Sequence, residues 1–187
     1  KEGIIEEGVI EKCAAFAARE HGDARRALDL LRIAGELTER DNAKKIKLKY
    51  IDEANEKIEK DKILDIISTE PKQFQLVLYS IIKLSEQKNK GSKEQLQLTK
   101  GTNLHKEPIF TGDVYNYYEE LCLKNKVEVL TQRRVSDIIH EFDMLGIINV
   151  KVISKGRGGR MREIKLSITK SITEKAKEII QNALNYV

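Results

Sequence analysis

Apolar residues recur every three to four positions through the first seventy residues, a helical period, and polar breaks interrupt the run. Over 6–20, Val9, Cys13, Phe16 and Ala17 share one face and predict a first helix. Gly22 suits the left-handed turn that ends a helix, and Asp23 suits the cap of the next. A second helix then runs to about residue 40, with Ala27, Leu28, Leu31, Ala34 and Leu37 inward. Residues 41–49 are polar and lysine-rich, and read as a connector. A third helix begins near Ile51 and ends before Pro71, because proline pushes its predecessor out of the helical region. The three make a small bundle with a boundary at 68–71, dividing the chain into 1–69 and 70–187.

The second unit opens with a helix over 73–86 carrying Leu76, Val77, Tyr79, Ile81 and Ile82. Residues 88–106 are rich in Lys, Gln and Gly and read as a loop. Thr111 is placed to cap a helix with Val114, Tyr115, Tyr118, Leu121 and Cys122. Thr131 is placed to cap another, with Val135, Ile138, Ile139, Phe142 and Leu145 inward and Gly146 as its stop. The period then changes to two: Ile148, Val150 and Val152 alternate with other positions, as do Ile164, Leu166 and Ile168. A last helix covers 172–184. Three helices, a β-hairpin and a closing helix describe a winged helix-turn-helix. The fold class is therefore mainly α with a small β-hairpin, a three-helix bundle followed by a winged helix-turn-helix domain.

Composition narrows the chemistry. No apolar run approaches the ~20 residues of a membrane span, and no signal-peptide pattern is present, so the chain reads as cytoplasmic with no membrane partner. Cys13 and Cys122 are far apart, form no CxxC pair and lie among apolar neighbours, which reads as buried thiols in a reducing compartment. With three scattered histidines they make no metal site. Charge is uneven. Residues 1–70 hold 14 Lys+Arg against 17 Asp+Glu, a net of −3, whereas 71–187 hold 20 against 13, a net of +7. The basic second unit suits a polyanion.

The helix after Thr131 is the candidate recognition helix. Its apolar stripe leaves Gln132, Arg133, Ser136, Asp137 and His140 outward and Arg134 to one side. Arginine reads guanine through a bidentate contact, and a helix start offers free amides to a phosphate. The bland alternative pairs Arg133 with Asp137 one turn later. Lys155, Arg157, Arg160, Arg162 and Lys165 crowd the hairpin, opposed by Glu163 alone, and its glycines permit close approach to a groove. The expected DNA-contact set is Thr131, Gln132, Arg133, Arg134, Ser136, Lys155, Arg157, Gly158 and Arg160. In the first unit, Gly22-Asp23-Ala24-Arg25-Arg26-Ala27-Leu28-Asp29 places arginines in a first helical turn, against the helix dipole. Either that end faces an anion, or Arg25 belongs to a salt-bridge ladder with Asp29, as Arg32 would with Glu36.

Gly22-Asp23-Ala24-Arg25 with Arg26-Ala27-Leu28-Asp29-Leu30-Leu31 resembles the sensor-2 motif of the archaeal replication initiators related to the origin recognition complex and cell division control protein six. Those proteins are AAA+ ATPases fused to a winged helix. Tyr50-Ile51-Asp52-Glu53-Ala54, Thr111-Gly112-Asp113-Val114-Tyr115 with Tyr118, and Arg133-Arg134-Val135-Ser136-Asp137 leading to Leu145-Gly146 resemble the same family, in order along nearly the whole chain. The resemblance implies that 1–69 is an AAA+ lid with Arg25 reaching the terminal phosphate of a nucleotide. It implies that 70–187 binds double-stranded origin DNA, with a replicative helicase or a second initiator as further partners. ATP or ADP with Mg would belong to the full-length protein, an AAA+ ATPase. No GxxxxGK[ST] loop or acidic Walker B strand occurs here, so no catalytic residue or cofactor is expected of this stretch alone. Thr69-Glu70-Pro71-Lys72-Gln73 is more polar than the family shows where lid meets winged helix. The rival readings are another AAA+ DNA motor with the same two parts, a winged helix that docks a helicase, and a stand-alone regulator with no need of Arg25.

Overall fold

Asp23 caps the second helix as its position suggests: the backbone N–H of Arg25 donates to Asp23 Oδ1 at 2.9 Å. The structure, a computed structural model, describes residues 3–19, 22–98, 108–154 and 160–184, with backbone alone over 89–98. The residues divide into two compact units, Lys1–Ile63 and Leu64–Val187.

In the first unit, α1 (Val9–Arg19) and α2 (Ala24–Arg40) form a hairpin, and Gly22 turns between them at φ +71°. α3 (Leu48–Thr69) starts three residues before the expected Ile51. Val9, Cys13, Leu30, Ile33, Ala34 and Leu37 form the core with Tyr50, Ile51 and Ala54. Leu28 is not inward: it is 66% exposed. At 100° per residue it lies opposite the stripe set by Leu30, Ile33, Ala34 and Leu37, so the expected face mixed two sides of one helix. Ala27 and Leu31 flank the core, as does Phe16 of α1. Lys12 and Asp52 pair at 2.7 Å, and Arg26 pairs with Glu59 at 2.6 Å.

The division between units falls inside α3, whereas Pro71 had suggested 69/70. Its last turn is held by the second unit's own residues: Gln75 Nε2 donates to the Ile67 carbonyl at 3.0 Å, and Ile67 is buried. α4 (Lys72–Leu98) is longer than expected, its helical backbone covering residues 88–98 of the anticipated loop. Lys, Gln, Glu and Leu are good helix formers, and one internal Gly91 costs only about 1 kcal/mol. Residues 99–106 of that loop lie outside the described residues. α4 packs on α5 (Thr111–Asn125) and on α7 (Lys170–Ala183). Thr111 is the first residue of α5 and not its cap. Phe110 takes that position, its N–H donating to Asp113 Oδ2 at 3.0 Å.

α6 (Gln132–Met144) begins at the expected cap, where Thr131 Oγ1 accepts from the Arg134 N–H at 3.3 Å. Val135, Ile138, Ile139 and Phe142 are buried, each contributing about 1.5–3 kcal/mol of apolar burial. Phe142 meets Phe74 edge-on at 6.0 Å. Leu145, expected inward, is 41% exposed, because the helix has ended and Gly146 turns the chain at φ +71°. The sheet has three strands and not two. β1 (Ile109–Phe110), β2 (Ile148–Ser154) and β3 (Arg160–Leu166) lie in the order β1-β3-β2, all antiparallel. Ile148 faces Leu166, and Val150 faces Ile164. Ile168 falls beyond the strand, and Val152 is 58% exposed because it has passed the edge of the core. The result is mainly helical: a small bundle, then a winged helix-turn-helix.

Candidate nucleic-acid and nucleotide contacts

Two polar side chains set the turn that delivers α6. The Tyr118 hydroxyl donates to Gln73 Oε1 and accepts from the Leu130 N–H at 3.1 Å. Gln73 Nε2 donates to the Glu128 carbonyl at 2.8 Å. The turn also includes Lys126 in the left-handed region at φ 54°. Burial pushes the Tyr118 hydroxyl well above the usual phenol range, and burial likewise raises the Cys122 thiol, so both stay protonated. The polar residues near Pro71 therefore have work: Gln73 pins the turn and Gln75 closes α3.

α6 is fixed to the hairpin as well. Asp143 Oδ1 accepts from the Val150 N–H at 2.9 Å, and the Ile147 N–H donates to the Phe142 carbonyl at 3.0 Å. Around the helix, Arg133, Asp137, His140 and Met144 stand directly opposite the buried stripe, and all are exposed. Arg133 has no carboxylate at ion-pair distance among the described residues, so the pairing with Asp137 is not formed. Arg134 lies to one side with Glu141 at 3.9 Å. Gln132 and Thr131 are exposed, and Ser136 is half-buried, its hydroxyl donating to the Gln132 carbonyl at 2.9 Å.

Of the hairpin candidates, Lys155, Arg157 and Gly158 lie outside the described residues. Arg160 is exposed opposite Ser154. Arg162, read from the sequence as part of the hairpin's basic cluster but not of the expected DNA-contact set, is exposed opposite Val152 and on the same face as Arg160. The two-residue spacing from Arg160 accounts for the shared face, since alternate residues of a strand point the same way. Nearer the sheet's base that face carries Ile148, Val150 and Ile164, so both arginines stand where the core-facing surface overhangs the domain. Lys165 lies on the other face and is neutralised by Glu163 at 3.0 Å.

In the first unit, adjacent arginines separate. Arg26 turns inward to Asn55 at 3.0 Å and to Glu59. Arg25 is exposed, with no carboxylate partner among the described residues, at a helix start without an acidic residue in its first turn. The ladder exists without Arg25: Asp29 and Glu36 both engage Arg32, at 3.7 and 2.7 Å. No group of three or more His, Cys, Asp or Glu side chains among the described residues is placed to hold a metal. No described helix is long and apolar enough to cross a membrane.

A small helical unit followed by a winged helix, each with an exposed arginine near a helix start and no carboxylate partner for it among the described residues, defines the class of protein. The model of the CDC6 C-terminal winged helix domain matches residues 65–176, and that of the Cdc6 AAA+ ATPase-type lid domain matches residues 1–56. The chain belongs to the Cdc6 family. It is 51% identical over 167 residues to an ORC1-type DNA replication protein of Pyrococcus abyssi, covering 89% of this chain and 36% of that protein. It is 48% identical over 174 residues to ORC1-type DNA replication protein 1 of Methanosarcina mazei, covering 93% of this chain and 38% of that protein. Among solved structures it is similar to the Aeropyrum pernix ORC1 protein in complex with DNA, at 38% identity and a TM-score of 0.73. That likeness covers 97% of this chain and 42% of the other. The chain thus spans little more than a third of the curated relatives it matches.

Proposed function

We propose that this chain is the C-terminal part of a replication initiator and grips duplex origin DNA with α6 and the β2–β3 hairpin. The observation that carries this reading is Arg133. It stands on the outermost ridge of α6, near a helix start and without a counter-ion among the described residues. An arginine so placed gains a partner when a base edge or phosphate arrives, and the exposed Arg160 and Arg162 add a second basic edge. The relative from Aeropyrum pernix, alike over nearly the whole chain, is described in complex with DNA. Thr131, Gln132, Arg134 and Ser136 complete the helix contacts, while Lys155, Arg157 and Gly158 continue the hairpin set. Arg133 reads a base, and Arg134, already drawn toward Glu141, positions the backbone.

The lid supports a second part of the proposal. In the longer protein Arg25 meets the terminal phosphate of ATP or ADP, with Mg bound elsewhere in the AAA+ core. The geometry fits: a free guanidinium at a helix N-terminus, where the dipole itself favours an anion. Met144 and Leu145, exposed at the far end of α6, favour a second reading in which a helicase or another initiator docks there.

Fluorescence anisotropy with origin-derived and random duplexes tests the main reading. Arg133→Ala is expected to cost about 1–3 kcal/mol on the preferred site and less on random DNA. Equal losses on both DNAs would reduce Arg133 to a backbone contact, and no loss on either would remove α6 from the interface.

A further inference from the structure

A second basic surface lies in the first unit, on the connector between α2 and α3. Residues 40–49 hold five basic side chains (Arg40, Lys44, Lys45, Lys47 and Lys49) against one acidic, Asp41, a net of +4. The remainder of 1–63 holds 9 basic against 14 acidic, a net of −5. A positive island on an otherwise acidic unit is not explained by solubility, which needs no such segregation.

The connector is built, not slack. Its backbone is tied at both ends: the Ala43 N–H donates to the Thr38 carbonyl at 3.0 Å at its start, and the Tyr50 N–H donates to the Lys47 carbonyl at 3.0 Å at its end. Ile46 both accepts from the Glu6 N–H at 3.0 Å and donates to the Ile4 carbonyl at 2.8 Å. Asn42 takes the left-handed region at φ 52°, which asparagine tolerates. Ala43 and Ile46 pack against the core, which leaves Lys44, Lys45 and Lys47 exposed.

The nearby carboxylates are engaged elsewhere. Asp41 accepts from the Tyr50 hydroxyl at 3.1 Å and faces Lys49 at 3.8 Å. Glu6 accepts from the Leu48 N–H at 3.0 Å. Lys44, Lys45 and Lys47 have no such partner among the described residues. Lys44, Lys45 and Lys47 fall within at most about 10 Å of chain, close enough for their side chains to reach neighbouring phosphates of one strand. A lipid surface would ask for a broad apolar face interleaved with the lysines, whereas here Ala43 and Ile46 pack against the core and Leu48, at 38% exposed, is the connector's one exposed apolar side chain.

We infer that Lys44, Lys45 and Lys47 form an auxiliary contact for the sugar-phosphate backbone of duplex DNA, separate from the winged helix. The inference rests on the proposal that this chain binds duplex DNA. The test uses the full chain and a duplex of about four helical turns, roughly 40 base pairs. The variant is Lys44→Gln, Lys45→Gln and Lys47→Gln together. A control of equal charge change replaces Lys57, Lys62 and Lys72, which are also exposed.

With binding followed across a salt series, the loop variant is expected to flatten the dependence of log K on log salt. The slope should fall by about 0.9 for each phosphate the variant no longer neutralises, up to roughly three in all. Its hydroxyl-radical footprint should shorten while protection at the winged-helix site persists. The control should leave slope and footprint near wild type. An unchanged slope and footprint, or an equal change in the control, overturns the inference. So does a loss confined to anionic phospholipid vesicles. If the unmodified chain fails to bind duplex at all, the underlying proposal fails instead, which keeps the two outcomes apart.

Discussion

Arg25 and Arg26 are neighbours with opposite surroundings, because successive residues of a helix point 100° apart. Which one faces inward depends on the phase of the buried stripe, and the sequence misled there by offering Leu28 as an inward residue. Leu28 is exposed, and Leu30 and Ile33 carry the face it had been assigned. Once that phase is known, the two arginines predict contrasting behaviour. Arg26→Ala removes a pair to Glu59 whose arginine side chain is only 13% exposed, and thermal melts of this chain should show a loss of about 1–3 kcal/mol. Arg25→Ala should leave the melt within about 0.5 kcal/mol of wild type, since it breaks no pair among the described residues. In the longer protein the same change should slow ATP hydrolysis by about tenfold or more, because the terminal phosphate would be left without that positive charge. Normal turnover there would sink the nucleotide role of Arg25.

Single elements were legible where their signals were redundant. α6 had a capping threonine, an apolar stripe and a terminal glycine, and its start fell where expected. β1 had two residues and no alternation to read, so only its pairing with β3 reveals it. The far half of α4 was obscured by Lys, Gln and Gly, which serve loops and helices alike. The turn into α6 was invisible for a different reason: its hydrogen bonds join residues 45 and 55 positions apart. Tyr118→Phe tests that turn. It deletes a hydroxyl that serves both Gln73 and the Leu130 N–H, leaving two polar groups to find water or stay unpaired. A loss of about 1–3 kcal/mol is expected in chemical denaturation, with weaker binding of duplex DNA because the start of α6 is less well fixed. An unchanged denaturation midpoint would show that backbone contacts such as Val127 N–H to the Cys122 carbonyl hold the turn unaided.

At the scale of the molecule, the order of the helices and of the hairpin was readable because the period changes from helical to two and back near the end of the chain. The division between units was less so: Pro71 marks where a helix must end, whereas the compact units part inside α3. Charge asymmetry was the most direct functional signal, and it supports the last prediction. The basic excess lies in 71–187, and the structure adds that Arg133, Arg160 and Arg162 are all exposed and lack carboxylate partners among the described residues. Binding to duplex DNA should then be governed by counterion release, each phosphate contact contributing about 0.9 to the slope of log K against log salt. Replacing Arg160 and Arg162 together by alanine should lower that slope by roughly two and weaken binding on preferred and random duplexes alike, because hairpin arginines positioned on the backbone carry little sequence information. Docking of a protein partner on Met144 and Leu145 makes a different forecast, since apolar burial survives salt that screens charge. A salt titration of the double variant beside the unmodified chain separates them: an unaltered slope would take the hairpin out of the DNA contact and leave α6 to act alone or on a protein.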